Sequence, residues 1–430
     1  MKTIYTNGTD EYRFIEKLKD RNRETGERVT AEVRAIIEDV RREGDDALDR
    51  YTLAFDGFLP AAREVPADKL AEAVAGLDPE LVEALERAAE NIRDFHRRQL
   101  PAGYEINREN GVILGRKCRG LHRVGLYVPG GRAAYPSTVL MNVIPAKIAG
   151  VGEIIMTTPP QRDGWADPAV LAAAAMAGVD RVFLVGGAQA VAAMACGTAT
   201  IPAVDKIVGP GNIYVATAKK LMYGEVDIDM IAGPSEILVL ADETANPAYI
   251  AADLLSQAEH DVMASAMLVT HSPVLAEMTV AEIGRQKERL SRKDDVDRAL
   301  ADYGAVLVTG SVEESIKLAN LLAPEHLEVM LPHPMDYVDR LQNAGSLFLG
   351  DYSPEPLGDY FAGPNHVLPT GFTARFFSPL SVESFMKYYS YTCYPREALR
   401  EVAPHICRIA AQEGLDAHAA AIRARTEETQ

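Results

Sequence analysis

Positive charge is scarce. Forty-four Lys and Arg stand against 62 Asp and Glu, a net charge of -18 in 430 residues. A nucleic-acid partner is excluded on that balance, because a phosphate backbone needs a basic face. Cysteine is scarce too. Cys118, Cys196, Cys393 and Cys407 are scattered without a C-x-x-C pair, so neither a thiolate zinc site nor a disulfide framework is indicated. Reduced thiols in a cytoplasmic protein are expected. No apolar run is long enough to span a bilayer, and Met1–Asn7 lacks the apolar core of a secretory signal, so no membrane partner is expected. The dinucleotide fingerprint G-x-G-x-x-G is also missing.

What is present is an ordinary globular composition, 47% hydrophobic and 25% charged. The chain is too long for one core, so two or more domains are expected. Residues 1–25 are polar and read as a small helical arm. Thr30 reads as the N-cap of a helix with Val33, Ile36, Ile37 and Val40 on one stripe. Asp78-Pro79 opens a second helix that runs to about Arg98, with His96 exposed near its end. From Arg123 onward, short apolar strands alternate with helices. Val124–Val128, Glu153–Thr157, Arg181–Val185 and Val204–Val208 form one series; Glu236–Leu240, Ala266–Thr270, Ala305–Val308 and Ser346–Leu349 form another. That alternation means α/β architecture, parallel sheets with helices on their faces. From Pro379 the chain reads as helical and Ala-rich.

Three glycine turns follow strands of the first series: Pro129-Gly130-Gly131, Gly186-Gly187 and Gly209-Pro210-Gly211. Turns there either simply reverse the chain or offer backbone N–H groups and helix N-termini to a diphosphate. On pattern alone both readings stand.

In the second series, Gln257 and His260 close a helix at i, i+3 and share one face. Imidazole is a natural zinc ligand, and one Asp and one further His would complete an N/O shell without sulfur, typical of catalytic zinc. Asp359 and His366 sit in a Gly/Pro-rich stretch, where functional groups often lie. Glu413 and His418 are near the C-terminus, with Gly414 between them to break the helix. Glu325-His326 follows the helix-ending Pro324, and a carboxylate beside an imidazole can supply a base, an acid and a water activator.

These motifs together resemble the histidinol dehydrogenase family over nearly the whole chain. The segments that carry the resemblance are 124–131, 135–142, 186–190, 208–212, 231–236, 253–261, 323–328 and 358–370. The resemblance implies two Rossmann-like domains, one for NAD (127–235) and one for metal and substrate (26–126 plus 236–378). It also implies a homodimer whose C-terminal arm (379–430) completes the neighbour's site. Gln257, His260, Asp359 and His418 match zinc ligands, one zinc ion (Zn2+) per subunit, and Glu325 and His326 match the catalytic pair. Tyr127, Gln189 and Asn212 match NAD contacts. Ser235, His366 and Glu413 match substrate contacts, beside His326 and the zinc ligands themselves. Glu413 and His418 would be supplied in trans. The implied activity is two-step oxidation of L-histidinol to L-histidine with two NAD+. Three rivals are weighed. A relative acting on another small alcohol is disfavoured by Glu413, which suits a cationic or N–H-bearing substrate. A zinc hydrolase would not need the three glycine turns. A solute-binding protein would not need the Glu-His pair. His122 and the run Tyr388-Tyr389-Ser390-Tyr391 depart from the pattern away from its motifs.

Overall fold

The computed structural model describes residues 1–23, 26–130, 134–231 and 233–426; Gly131 and Ala232 of the motifs above lie outside them. The chain divides into one unit of 1–99 with 121–385 and a second of 100–120 with 386–430.

The first unit holds two parallel sheets. One is built from β4 (Arg123–Tyr127), β5 (Glu153–Thr158), β6 (Arg181–Leu184), β7 (Lys206–Val208) and β8 (Asp227–Ile228). Their order is β6-β5-β4-β7-β8, all parallel. Between the strands run α6 (Pro136–Ile148), α7 (Pro168–Ala177), α8 (Gly187–Cys196) and α9 (Ile213–Met222). The helices α7 and α8 are mostly alanine and other small residues, so neighbours approach closely. Above α8 and α9 lies α2 (Glu27–Glu43), with α3 (Asp45–Asp56) after it. Val33, Ile36, Ile37, Val40 and Leu48 share one core with Tyr127, Phe183 and Met194. Residues 27–56 thus pack on the first sheet, not with residues 236–378 as the expected grouping has it. Their apolar stripe fits the shallow surface of α8 and α9. The cap of α2 is Gly26; Thr30 lies one turn inside the helix.

Two further helices, α4 (Ala67–Gly76) and α5 (Pro79–Arg97), lie against α7 and α6 respectively. Asp78 caps α5 by accepting the N–H of Glu80, with Pro79 in the first turn. His96 is fully buried there, not exposed, and bonds Gln99 Oε1 through Nδ1 at 2.7 Å.

The other sheet has the order β1-β11-β10-β9-β12-β13, again parallel. Its strands are β1 (Lys2–Tyr5), β9 (Glu236–Ala241), β10 (Ser265–Thr270), β11 (Ala305–Val308), β12 (His326–Met330) and β13 (Ser346–Leu349). Alternation decides its two faces. Ile237 and Val239 face α10 (Pro247–Ala258), α11 (Pro273–Gln286) and α12 (Lys293–Asp302). Leu238 and Leu240 face α1 (Asp10–Arg23) and α13 (Val312–Leu322). The N-terminal segment is therefore more than a helical arm: β1 extends the sheet and Phe14, Ile15 and Leu18 enter its core. A short helix, α14 (Glu355–Tyr360), follows β13.

The second unit has β2 (Tyr104–Asn107), β3 (Ile113–Gly120) and β14 (Met386–Cys393) in one antiparallel sheet, then α15 (Arg396–Gln412) and α16 (Asp416–Thr426). The stretch expected to be helical from Pro379 holds a 3-10 turn at Val382–Phe385 and then a strand before its helices begin. Its tyrosines decide this. Tyr391 lies over Gly115, where an added Cβ would meet the ring at 2.1 Å, and donates its hydroxyl to Glu105 at 2.6 Å. Gly414, at φ 71, separates α15 from α16 as expected.

Candidate active site

Four segments of the first unit converge at the amino ends of β9 and β12. In register, His326 is flanked by Ile237 of β9 and Ser346 of β13. Pro324 lets the chain leave α13 and enter β12 with Glu325 and His326 at the sheet's edge. Both are buried, 8% and 4% exposed. His326 Nδ1 lies 2.9 Å from the carbonyl oxygen of Glu236. A carbonyl only accepts, so Nδ1 carries the hydrogen, and Nε2 of the neutral ring is left as the acceptor. That Nε2 is buried with no hydrogen-bond partner, 3.8 Å from Asp359 Oδ1 and 4.0 Å from Glu355 Oε1. Glu325 Oε2 accepts the N–H of Glu236 at 2.8 Å and lies 3.7 Å from His326 Nδ1.

The local electrostatics are set by burial and crowding. Burial pushes Glu325 up to about 7, against the pull of His326. Burial alone would lower His326, but the carboxylates of Glu325, Asp359 and Glu355 outweigh it and raise the imidazole to about 10. Asp359 is driven the other way. Burial would raise it, yet His326 and His366 hold it down to about 2. Burial and the neighbouring Asp359 lift Glu355 to about 8. His366 donates Nδ1–H to the Asp359 carbonyl at 3.0 Å and is lowered by burial. A cavity of about 270 Å³ opens beside His326, Phe348, Asp359, Asn365 and His366.

Donor atoms of His260, Glu355 and Asp359 all lie within 4.8 Å of one another. Gln257, the last residue but one of α10, is 1% exposed and its Oε1 is buried without a partner. A buried, unused amide oxygen three residues before His260, whose donor atom gathers with two carboxylates, fits a divalent cation of the zinc type. Ser235 immediately precedes β9 and accepts the N–H of Ser265 at 3.0 Å. Glu413 caps α15 and His418 lies in α16; both are exposed side chains of the second unit.

The residues matched to NAD lie at the carboxyl edge of the first sheet. Tyr127 ends β4, and its hydroxyl accepts the N–H of Gly187 at 3.1 Å. Gln189, in the first turn of α8, keeps a buried Oε1 without a partner. Asn212 caps α9 through the N–H groups of Tyr214 and Val215. The strand order reverses between β4 and β7, and ligands of open α/β sheets bind at such a switch point. Gly209 stands there at φ 107, where an added Cβ would sit 2.1 Å from the Tyr127 carbonyl oxygen. Chain and turn approach so closely that only glycine fits. An unused amide oxygen beside helix N-termini suits a dinucleotide.

Sequence reading missed Glu355 and Glu236. Glu355 stands one turn before Asp359, a spacing that could have found it. Glu236 is buried with Arg21 of α1 in an ion pair of 2.7 Å, and its backbone holds both Glu325 and His326. No local pattern connects residue 21 to residue 236.

A doubled parallel-sheet fold with a buried carboxylate–imidazole pair beside metal-competent donors defines an α/β enzyme of acid–base chemistry. A family model described as histidinol dehydrogenase matches residues 19–426. The histidinol dehydrogenase of Clostridium acetobutylicum is 52% identical over 425 residues, 99% of each chain. That of Listeria innocua is 53% identical over 428 residues, 100% of each chain to the nearest per cent. The crystal structure of histidinol dehydrogenase from Elizabethkingia anophelis superposes with a TM-score of 0.93 at 39% identity, covering 99% of this chain and 98% of that one. The chain belongs to the histidinol dehydrogenase family and is an NAD-dependent oxidoreductase. Among the described residues, no helix is long and apolar enough to cross a membrane.

Proposed function

We propose that the chain oxidises L-histidinol to L-histidine through L-histidinal, passing two hydrides to two NAD+. The observation that carries the reading is the fixed tautomer of His326, whose buried, unpartnered Nε2 lies 3.8 Å from Asp359. Gln257, His260 and Asp359 would hold zinc together with His418, and Glu355 is close enough to Asp359 and His260 to share in the site. Zinc bound there supplies an anchor for the substrate's nitrogens and a Lewis acid at its oxygen.

His326 Nε2 takes the hydroxyl proton as the first hydride leaves. Asp359 holds that imidazole protonated while its own carboxylate is free; with that carboxylate engaged as a metal ligand the hold would weaken, leaving His326 as the base. Glu325 then activates water to form the aldehyde hydrate. His326 accepts a proton again in the second hydride transfer. Ser235 and His366 line the substrate side. Glu413 and His418 of a second copy complete the site in a homodimer. Tyr127, Gln189 and Asn212 receive NAD at the edge of the first sheet, so residues 127–235 form the NAD domain. Residues 236–378 hold metal and substrate, and the C-terminal segment reaches the neighbouring copy.

The test is NADH formation from L-histidinol by purified protein, before chelation, after it, and with zinc added back. Activity lost and then restored is expected. Zinc-replete protein that binds NAD yet is inert toward L-histidinol would mean that another small alcohol is the substrate.

A further inference from the structure

The helix α6 follows β4 of the first sheet and carries a proline inside it, Pro145. Proline has no N–H, and its ring crowds the carbonyl four residues back. That carbonyl belongs to Met141, which is fully buried in the middle of α6. A buried carbonyl that loses its helical donor must find another. The donor comes from the loop that carries His366. Asn365 Nδ2 donates to the Met141 carbonyl at 2.6 Å, 224 residues away in the chain. The other end of the same amide is also used: Asn365 Oδ1 accepts the N–H of Val367 at 2.9 Å. That turn encloses His366, whose Nδ1–H goes to the Asp359 carbonyl. Asn365 is 4% exposed and lines the cavity beside His326 and Asp359.

A second tie fastens the same loop. Asn91 of α5 donates its side-chain amide to the Phe361 carbonyl at 2.8 Å. Gly363, at φ 110, passes so close to α5 that an added Cβ would lie 2.7 Å from the Asn91 carbonyl oxygen. Beyond Val367 the chain returns to the second sheet. Thr370 Oγ1 accepts the N–H of Gly233 at 2.6 Å, and Gly371 donates its N–H to Glu236 Oε2 at 3.2 Å. The loop is thus held at one end by α6 and the neighbouring α5, and at the other by the segment that leads into β9.

We propose that Asn365 is a positioning residue. By satisfying the carbonyl that Pro145 orphans, it fastens residues 361–367 to α6 and so holds the substrate side of the site, His366 above all. The proposal rests on the reading of His366 as a substrate contact. Both ends of the Asn365 amide are committed to the protein, so it has no part in proton or hydride transfer.

The experiment uses full-length, zinc-loaded protein. Asn365→Ala, Asn365→Asp, Pro145→Ala and the double variant Asn365→Ala/Pro145→Ala are compared with the parent by steady-state kinetics and by chemical unfolding. An aspartate keeps the acceptor for Val367 but cannot donate, so Asn365→Asp should behave as Asn365→Ala does. Both should lower kcat/KM for L-histidinol by up to about 10²-fold, the effect of a small misplacement. The loss should fall chiefly on the KM for L-histidinol, with the KM for NAD+ unchanged. Both should also lower the unfolding midpoint. Pro145→Ala gives the Met141 carbonyl a helical donor, so in that background Asn365→Ala should lower the midpoint much less. The kinetic defect should persist there, because the loop is still unfastened. Kinetics restored together with stability in the double variant would show that Asn365 merely satisfies a carbonyl, and would overturn the proposal. Parent-like kinetics in Asn365→Asp, or an equal rise in the KM for NAD+, would overturn it too. His366→Ala is measured alongside. A KM for L-histidinol that rises in Asn365→Ala and not in His366→Ala supports the anchored loop and overturns the substrate reading of His366.

Discussion

The two parallel sheets have one strand order and opposite working edges. In the first, β6-β5-β4-β7-β8 reverses direction between β4 and β7, and the glycine turns lie at the carboxyl ends. In the second, β11-β10-β9-β12-β13 reverses between β9 and β12, yet Glu236, Glu325 and His326 gather at the amino ends. Helix polarity explains the choice. The carboxyl edge collects helix N-termini, whose free N–H groups and positive dipole end suit a diphosphate. The amino edge collects helix C-termini, here those of α10 and α13. Their carbonyl ends favour cations and protonated imidazole. One topology thus offers an anion edge and a cation edge, and the side chains placed there follow that polarity.

The comparison can be broken from either side. The largest effect is expected for His326→Ala, which should cut kcat by roughly 10²–10⁴-fold in both half-reactions and leave NAD+ affinity unchanged. Steady-state kinetics with equilibrium binding of NAD+ measure both; a parallel loss of NAD+ affinity would show that the two edges are not separable.

Glu325→Gln should slow histidinal oxidation by about 10²-fold and spare the first oxidation. In the parent, histidinal oxidation should fall as pH drops through about 7, where Glu325 takes up its proton. Stability has the opposite sign. The folded pKa of Glu325 is raised above the ordinary 4.5, so its contribution is fully present below 4.5 and is lost as pH rises through about 7. Equal losses in both half-reactions would refute this division between Glu325 and His326.

Removing a proposed metal ligand should weaken metal and nothing else. His260→Ala and His418→Asn should each lower zinc affinity, with NAD+ binding intact, as metal analysis after dialysis would record. Full zinc content in His418→Asn would strike His418 from the ligand set.

At the anion edge, Gly209→Ala should cost about 1–3 kcal/mol, because a side chain there is strained and collides with the Tyr127 carbonyl. Chemical unfolding gives the cost; NAD+ KM should rise while zinc content holds. Tyr127→Phe is the mildest change. It removes the hydroxyl that receives the Gly187 N–H, worth about 1 kcal/mol, and should raise NAD+ KM only a few-fold. A shift in zinc content with either variant would mean that the edges communicate.

Much of this was legible because local pattern carries it. Short apolar runs between helices announced both sheets, and the Pro324 break put Glu325 and His326 on a loop or a new element, which is the start of β12. Gly414 marked the end of α15 because φ 71 suits glycine. Elsewhere the local signal misled. His96 among arginines looked like a surface residue, yet α5 turns it inward to Gln99. The run 388–391 sits in an Ala-rich, helix-like neighbourhood, and only pairing with β3 makes it a strand. A strand pairing spanning some 270 residues leaves no trace in a local window.

The sequence by itself determined the α/β class, four strands of each sheet though not β1, β8 or β12, and the residue types able to hold a metal, move a proton or line a turn. Periodicity and turn chemistry act over a few residues, so they can be read there. Tertiary structure alone decided that both sheets share a strand order, that Arg21 braces Glu236, and that Glu355 gathers with His260 and Asp359. It also fixed the tautomer of His326 by setting its Nδ1 against the Glu236 carbonyl, 90 residues away in the chain. Those facts depend on which distant groups burial forces together, and on which of them keep a proton once water is gone.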